Sequence, residues 1–326
     1  MKFMLQCYKK KFGGRNMKNV HNTYSFPSHT GTTDIFVQSV SPAAPSEIKG
    51  VIQLSHGMAE HTDRYLEIAD YFADHGYVFI MHDHAGHGRS VKDDSMNGYF
   101  CEKDGYKRLV EDVKEVTEIA KKNWPGVKII LWGHSMGSFI ARNYIATFAG
   151  SVNGAVICGT SGKNPAAPAG ILLANLVAKT KGAKYKSKFI DSIAFGSYNK
   201  KFTGNTGFEW LSANEENIKK YVADPKCGFM FSASAFRDLF SVLDSVSGDK
   251  WYNDVPKKMP VYLIAGTDDP VGNYGKGVKE VYDKLIATGH ENVTMKLYDG
   301  LRHEIHNEDA RFEVCDDILK FAETIV

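Results

Sequence analysis

The sequence predicts an α/β architecture: a mostly parallel sheet covered on both faces by helices, interrupted by an inserted helical segment. Three observations predict it. Short apolar runs of strand length alternate with longer runs whose apolar residues recur at helical spacing. The pentapeptide Gly133-His134-Ser135-Met136-Gly137 is entered by an apolar run, Val127 to Trp132, and left by a helix-like run, Ser138 to Phe148. Between Gly159 and about Val255 the alternation stops, and the chain becomes helical and richer in Lys, Asn and Phe.

In chain order, Tyr24 to Pro27 and Thr33 to Val40 read as two leading strands, and Gly50 to Ser55 as a buried strand ending at His56-Gly57. Tyr65, Ile68, Ala69 and Phe72 share one helical face, closed by His75-Gly76 before the buried strand Tyr77 to Met81. The helix Gly105 to Asn123 turns Leu109, Val113, Val116 and Ala120 inward, and Pro125-Gly126 ends it. After the pentapeptide come the strand Val152 to Cys158, the interruption, the strand Pro260 to Ala265, a helix near Gly277 to Thr288, and the strand Val293 to Tyr298. The interruption, about residues 160–255, is expected to form a cap. Within it Ile171, Leu172, Leu173, Leu176 and Val177 form an apolar helix edged by Lys179, Lys181 and Lys184. That helix suits either lipid contact or packing onto the site, with packing preferred.

Composition sets bounds. With 43% hydrophobic and 24% charged residues the chain is that of an ordinary globular protein, and a net charge of +2 gives no reason to expect a nucleic-acid partner. Cys7, Cys101, Cys158, Cys227 and Cys315 show no C-x-x-C spacing, so neither a disulfide framework nor a metal or redox pair is expected, and the cytoplasm is the simpler location. Residues 1–20 read as a disordered extension ahead of a domain at 21–326. The extension places a few apolar residues before its Lys/Arg-rich stretch, the reverse of a secretory signal, and Met17 is a candidate start. No apolar run reaches the roughly 20 residues needed to span a bilayer, so any lipid contact would be peripheral.

The pentapeptide spacing fits a nucleophile elbow, in which small residues on both sides let a strained turn lift a serine hydroxyl out of the sheet top. Alone it is weak, since roughly 0.2 such pentapeptides arise by chance in a chain of this composition. A serine nucleophile needs a base, commonly a histidine oriented by a carboxylate. Asp269 lies in Gly266-Thr267-Asp268-Asp269-Pro270 and His303 in Gly300-Leu301-Arg302-His303, each just past a strand, giving the chain order Ser135, Asp269, His303. Asp268 competes with Asp269, and its alternative is a helix N-cap. His306 competes with His303 and is read as solvated or as lying behind the site. Backbone N–H groups of Met136, at the helix start, and Met58, in His56-Gly57-Met58-Ala59-Glu60-His61, are the expected oxyanion donors. His56, Gly57 and His134 are expected to support them. The cluster His82-Asp83-His84-Ala85-Gly86-His87 has histidine spacing similar to a binuclear zinc motif, but Gly86 stands where that motif needs an Asp. It is read as a structural loop pairing with backbone and His56, so no metal and no cofactor is expected.

Together these residues resemble the monoacylglycerol lipase and lysophospholipase branch of the serine α/β-hydrolases. The likeness rests on His56-Gly57-Met58-Ala59-Glu60-His61 with Arg64-Tyr65, on Asp83-His84-Ala85-Gly86-His87-Gly88-Arg89-Ser90, and on the elbow. It extends to Gly266-Thr267-Asp268-Asp269 and Tyr298-Asp299-Gly300-Leu301-Arg302-His303-Glu304. The resemblance implies an α/β-hydrolase fold with an eight-stranded sheet and a lid, a Ser135, Asp269, His303 triad, and hydrolysis of a single-chain acyl ester. It implies Asp269 as the acid, because the branch places its Asp three residues after the strand-ending glycine. In the cap only Trp210-Leu211-Ser212 and Tyr221-Val222-Ala223-Asp224-Pro225 look familiar.

The expected function is therefore a serine ester hydrolase acting on a monoacylglycerol or lysophospholipid, with peripheral membrane contact through the cap. Its rivals are a short-chain carboxylesterase, a proline-type aminopeptidase, an acyltransferase using the same residues, and a catalytically silent ligand-binding protein.

Overall fold

The computed structural model describes residues 19–326. The expected disordered extension lies outside the described residues apart from Asn19 and Val20. Asn19 donates from its side chain to the Asp70 carbonyl at 3.3 Å, and Val20 opens the first strand.

Eight strands form one sheet: β1 Val20–Pro27, β2 Asp34–Ser41, β3 Gly50–Ser55, β4 Tyr77–His82, β5 Lys128–His134, β6 Gly154–Cys158, β7 Val261–Gly266 and β8 Val293–Tyr298. Their order is β1-β2-β4-β3-β5-β6-β7-β8. The β1–β2 and β2–β4 pairs are antiparallel and the rest are parallel, with β3 between β4 and β5. This is the α/β-hydrolase architecture. The helices are α1 Leu66–Asp74, α2 Gly105–Asn123, α3 Met136–Thr147, α4 Ala167–Lys181, α5 Lys188–Phe195, α6 Glu215–Ala223, α7 Ala233–Ser245, α8 Asp249–Asp254, α9 Lys276–Ala287 and α10 Arg311–Glu323.

Alternation along β5 shows why both faces must be covered. Ile129 and Leu131 enter one core with Val113 and Val116 of α2, Ile140 and Tyr144 of α3, and Val278 and Val281 of α9. Ile130 and Trp132 enter the other with Ile68 and Phe72 of α1 and Val314 and Ile318 of α10. The strand ends at one edge of this sandwich then carry His56, Ser135, Asp269 and His303.

Two differences from the sequence expectations have physical reasons. The final helix α10 was not anticipated, although Val314, Ile318 and Ala322 repeat every four residues and are fully buried. The apolar helix α4 packs down only on one side: Ala174 is buried and Leu173 and Val177 meet the core, whereas Leu172 and Leu176 are 71% and 59% exposed. An apolar run that nearly encircles a helix cannot bury every residue against a single neighbour.

The segment between β6 and β7 carries α4 through α8. Its α7 is tied to the body. Asp238 of α7 lies against the N-terminus of α2, where a Cβ on Gly105 would fall 2.3 Å from its Oδ2, and it accepts from the Gly105 and Tyr106 N–H groups.

Candidate active site

The elbow forms because only glycine fits on either side of Ser135. A Cβ on Gly133 would lie 2.4 Å from the Gly137 carbonyl, and one on Gly137 would lie 2.0 Å from the Ser55 carbonyl. The close approach of β5, α3 and the end of β3 leaves Ser135 at φ 54°, ψ −123°, a conformation that costs roughly 1–3 kcal/mol for a residue with a side chain. A bond from the Ser135 N–H to the Cys158 carbonyl at 3.0 Å pins the turn to β6. Ser135 is only half-buried, while its neighbours His134 and Met136 are buried.

Past β7 and β8 the structure brings Asp269 and His303 together. His303 Nδ1 donates to Asp269 Oδ2 at 2.9 Å, and Asp269 Oδ1 accepts from the Val271 N–H at 2.8 Å. Asp269 is fully buried, whereas Asp268 is exposed. Because a carboxylate only accepts, the hydrogen sits on Nδ1 and Nε2 carries the lone pair. That Nε2 is buried with no hydrogen-bond partner among the described residues. Burial by itself would depress the imidazole pKa, but the charge and hydrogen bond of Asp269, with smaller help from Glu304 and Glu60, raise it above its ordinary 6.5. The ring lies between His134, 4.8 Å away centroid to centroid, and Trp210 at 5.1 Å, so it stands beside the residue preceding the serine. Gly159 permits this, since a Cβ there would lie 3.1 Å from His303 Cε1.

On the other side of Ser135 runs the loop after β3. A Cβ on Gly57 would lie 3.1 Å from the Ser135 Cβ and 2.6 Å from Glu60 Oε1, so glycine lets the backbone before Met58 close on the serine. The loop is held from below: His56 Nδ1 donates to the Gly57 carbonyl at 2.8 Å, and its Nε2 accepts from the His84 N–H at 3.0 Å. Asp83 accepts from Thr62 through Oδ1 and from the Arg89 N–H through Oδ2. Burial pushes the pKa values of His56, His82, His84 and His87 down, leaving a neutral histidine stack under the loop. Met136 opens α3, where the first N–H groups of a helix have no partner within it.

A buried charge network is the part that sequence reasoning missed. Arg64 donates to Glu60 Oε2 at 2.7 Å and forks onto Glu304 at 2.7 and 2.6 Å, while Asn217 of α6 donates to Glu304 Oε2 at 2.8 Å. Glu60 Oε1 also accepts from the Gly57 N–H at 2.6 Å and the Tyr65 hydroxyl at 2.9 Å, and lies 3.1 Å from His134 Nδ1. Burial opposes both carboxylates, yet His134 and Arg64 hold Glu60 well below its usual range and Arg64 holds Glu304 down at about 2. The only signal was a Glu and an Arg four apart beside the oxyanion loop. Of the two readings of His306, solvated or behind the site, the structure shows the second: it is fully buried, stacked on Tyr65 at 4.7 Å and edge-on to His134 at 4.4 Å.

The structure thus places an Asp269-oriented imidazole beside His134, the residue before Ser135, and closes the Gly57 loop on the serine from the other side; a serine, an imidazole and free backbone N–H groups are the parts that acyl transfer uses. A family model described as serine aminopeptidase, S33 (Hydrolase_4) matches residues 46–310. The chain belongs to this α/β-hydrolase family. A monoacylglycerol lipase of Mycolicibacterium smegmatis is 28% identical over 274 residues, 83% of this chain and 86% of the relative. The human monoglyceride lipase is 26% identical over 267 residues, 80% of this chain and 77% of its own. A thermostable carboxyl esterase of Bacillus coagulans, solved with glycerol, superposes with a TM-score of 0.88 at 31% identity, covering 94% of this chain and 98% of the esterase. This hydrolase is a carboxylic ester hydrolase resembling the monoacylglycerol lipases. Among its described residues no helix is long and apolar enough to cross a membrane.

Proposed function

We propose that this hydrolase cleaves single-chain acyl esters, monoacylglycerols or lysophospholipids, through an acyl-enzyme on Ser135. The observation that carries the reading is the buried, unpartnered Nε2 of His303, whose Nδ1–H is committed to Asp269. As the Ser135 Oγ attacks the ester carbonyl, His303 Nε2 takes its proton. The carbonyl oxygen becomes an oxyanion that accepts hydrogen bonds from the Met58 and Met136 N–H groups. The imidazolium then gives that proton to the departing alkoxide of the glycerol or glycerophosphate moiety. Water, deprotonated by the same Nε2, attacks the acyl-enzyme, and collapse of the second tetrahedral intermediate returns the proton to Ser135 and releases the fatty acid.

Single-chain substrates are supported by the names of the relatives and by the outer surface between β6 and β7. Leu172 and Leu176 of α4 and Phe189 and Ile193 of α5 are 59–71% exposed, with Lys179, Lys181 and Lys184 nearby in sequence. Such a face suits shallow contact with a lipid surface. The segment at about 160–255 is proposed as the cap that selects the acyl chain. A cytoplasmic location fits the four described cysteines, all free thiols. Aminopeptidase activity, which the family description raises, would need an unpaired carboxylate for a free amine, and Glu60 and Glu304 are both taken by Arg64.

The test is hydrolysis of p-nitrophenyl esters from acetate to palmitate beside a monoacylglycerol, a lysophospholipid and an aminoacyl anilide. Preference for medium or long chains with monoacylglycerol or lysophospholipid turnover supports the reading. Preference for acetate makes the protein a short-chain carboxylesterase, and anilide cleavage moves it to the peptidases.

A further inference from the structure

Among the described residues, two clusters apart from Ser135, Asp269 and His303 gather nitrogen and sulfur donors. In the first, His134, Cys158 and His306 offer ligand atoms within 4.8 Å of one another. It lies under the elbow, and His134 already faces Glu60 at 3.1 Å and the His303 carbonyl at 3.3 Å. A cation there would have to break the support of the serine site. The second cluster is different.

His61, Asp224 and Cys227 also bring one ligand atom each within 4.8 Å. We propose that these three side chains form a binding site for a zinc-type divalent cation, bridging the loop that carries Met58 and the turn after α6. The donor set is an imidazole nitrogen, a carboxylate oxygen and a thiol sulfur, the mixture that borderline cations such as Zn²⁺ select and hard cations such as Mg²⁺ and Ca²⁺ do not.

The geometry is close to what coordination needs. His61 Nε2 lies 2.9 Å from Asp224 Oδ2. Around a tetrahedral zinc, with Zn–N near 2.0 and Zn–S near 2.3 Å, ligand atoms sit about 3.3–3.7 Å apart. Seating the ion therefore asks the imidazole and carboxylate to part by a few tenths of an ångström and the Cys227 sulfur, within 4.8 Å of both, to close by up to about an ångström. Asp224 and Cys227 come from a single turn closed by the Cys227 N–H on the Asp224 carbonyl at 3.0 Å, so two ligands three residues apart are presented together. That is the spacing of the C-x-x-C turns that chelate zinc, with a carboxylate in place of one sulfur.

The surroundings orient the ligands. The second oxygen of Asp224 accepts from the Lys226 N–H at 2.8 Å, leaving Oδ2 for the imidazole or the ion. Asp63 Oδ2 lies 4.0 Å from His61 Nδ1, on the ring side opposite the cluster, close enough for its charge to favour a hydrogen on Nδ1 and leave Nε2 as the donor atom, though too far for a hydrogen bond. His61 and Cys227 are buried, at 5% and 9% exposure, while the Asp224 side chain is 33% exposed and provides the route in. Charge balances: Asp224 and the thiolate supply the two negative charges, and the Cys227 thiol releases one proton to solvent as the ion binds. The Arg64 guanidinium, 4.9 Å over the Tyr221 ring, is already matched by Glu60 and Glu304. Three protein ligands leave the fourth position to water.

The site joins parts that already touch. The Ala59 carbonyl accepts from the Gly228 N–H at 3.0 Å and from the Tyr221 hydroxyl at 3.1 Å, so a bound ion would reinforce an existing seam and stiffen the loop next to Met58.

The experiment uses the untagged full chain, stripped with a chelator and titrated with Co²⁺ and Zn²⁺, and reads binding without turnover. Co²⁺ is expected to bind once per chain with tetrahedral visible bands and a sulfur-to-cobalt charge-transfer band, and Zn²⁺ is expected to displace it and raise the Tm by several degrees. Cys227→Ser should abolish the charge-transfer band. Asp224→Asn, which can keep a hydrogen bond to His61, should weaken binding at least tenfold, and Cys101→Ser should change nothing. Absence of stoichiometric binding by the folded, stripped chain overturns the proposal. So does a charge-transfer band that survives in folded Cys227→Ser.

Discussion

Arg64 forks onto Glu304, the residue after His303, with both guanidinium–carboxylate bonds at 2.6–2.7 Å, the Glu304 side chain buried and that of Arg64 10% exposed. The same guanidinium holds Glu60, whose other oxygen accepts from the Gly57 N–H. One cation thus ties the loop bearing the proposed base to the loop bearing a proposed oxyanion donor. Arg64→Met leaves two buried carboxylates without a counter-charge and is expected to cost about 3–5 kcal/mol at neutral pH. Because Arg64 depresses Glu304 in the fold, this contribution is present above the unfolded carboxyl value of 4.5 and fades as pH falls toward about 2. The deficit in urea unfolding should therefore shrink at pH 4. A deficit below about 1 kcal/mol at pH 7 would show that the network holds nothing together.

The two adjacent aspartates should behave differently. Asp269 is buried and bonded to His303, while Asp268 points to solvent. Asp269→Asn is expected to lower kcat by about a thousandfold or more, since the amide favours the wrong tautomer, as seen in related triads. Asp268→Asn should stay within a fewfold of the parent. Steady-state rates on one p-nitrophenyl ester decide this, and the reverse order would move the acid by one residue.

The pH profile follows from the raised pKa of His303. Its Nε2 must be unprotonated to act, so the acid limb of kcat/KM is expected above pH 6.5. In residual activity of Asp269→Asn the limb should move to lower pH, because burial then prevails. Stability has the opposite sign: a folded value raised above the unfolded one stabilises fully below pH 6.5 and loses that contribution as pH rises through the folded value. Asp269→Asn should thus destabilise more at pH 5.5 than at pH 9. An acid limb well below pH 6 in the parent would contradict a carboxylate-paired histidine base.

The exposed residues of α4 and α5 give a binding prediction separate from catalysis. Leu172→Asp with Phe189→Asp is expected to lower co-sedimentation with anionic vesicles by about tenfold or more, while rates on soluble p-nitrophenyl butyrate stay within twofold. Unchanged sedimentation would remove lipid contact from this face.

Most of the sheet was legible because its signal is local. Six consecutive buried residues in β3 read as a strand whatever surrounds them, and the glycines of the elbow report a steric demand only a sequence away. Boundaries moved where pairing, not propensity, decides: β1 begins at Val20 because it pairs across to Ser41. The placement of Ser135, Asp269 and His303 just past strand ends was legible, and the structure pairs the last two. Arg64, Glu304 and Asn217 were not legible, nor was the approach of His61 to Asp224, 163 residues away. Such partners share no spacing, because the fold alone brings them together.

The most direct test of the account is trapping the covalent intermediate. The enzyme would be mixed with a long-chain p-nitrophenyl ester, quenched in acid within its first turnover, and digested for peptide mass mapping. The expected result is one acyl group on Ser135, a matching burst of p-nitrophenol, and neither signal in folded Ser135→Ala. Turnover that persists in Ser135→Ala, or an acyl group mapped to another residue, would contradict a serine acyl-enzyme at this site.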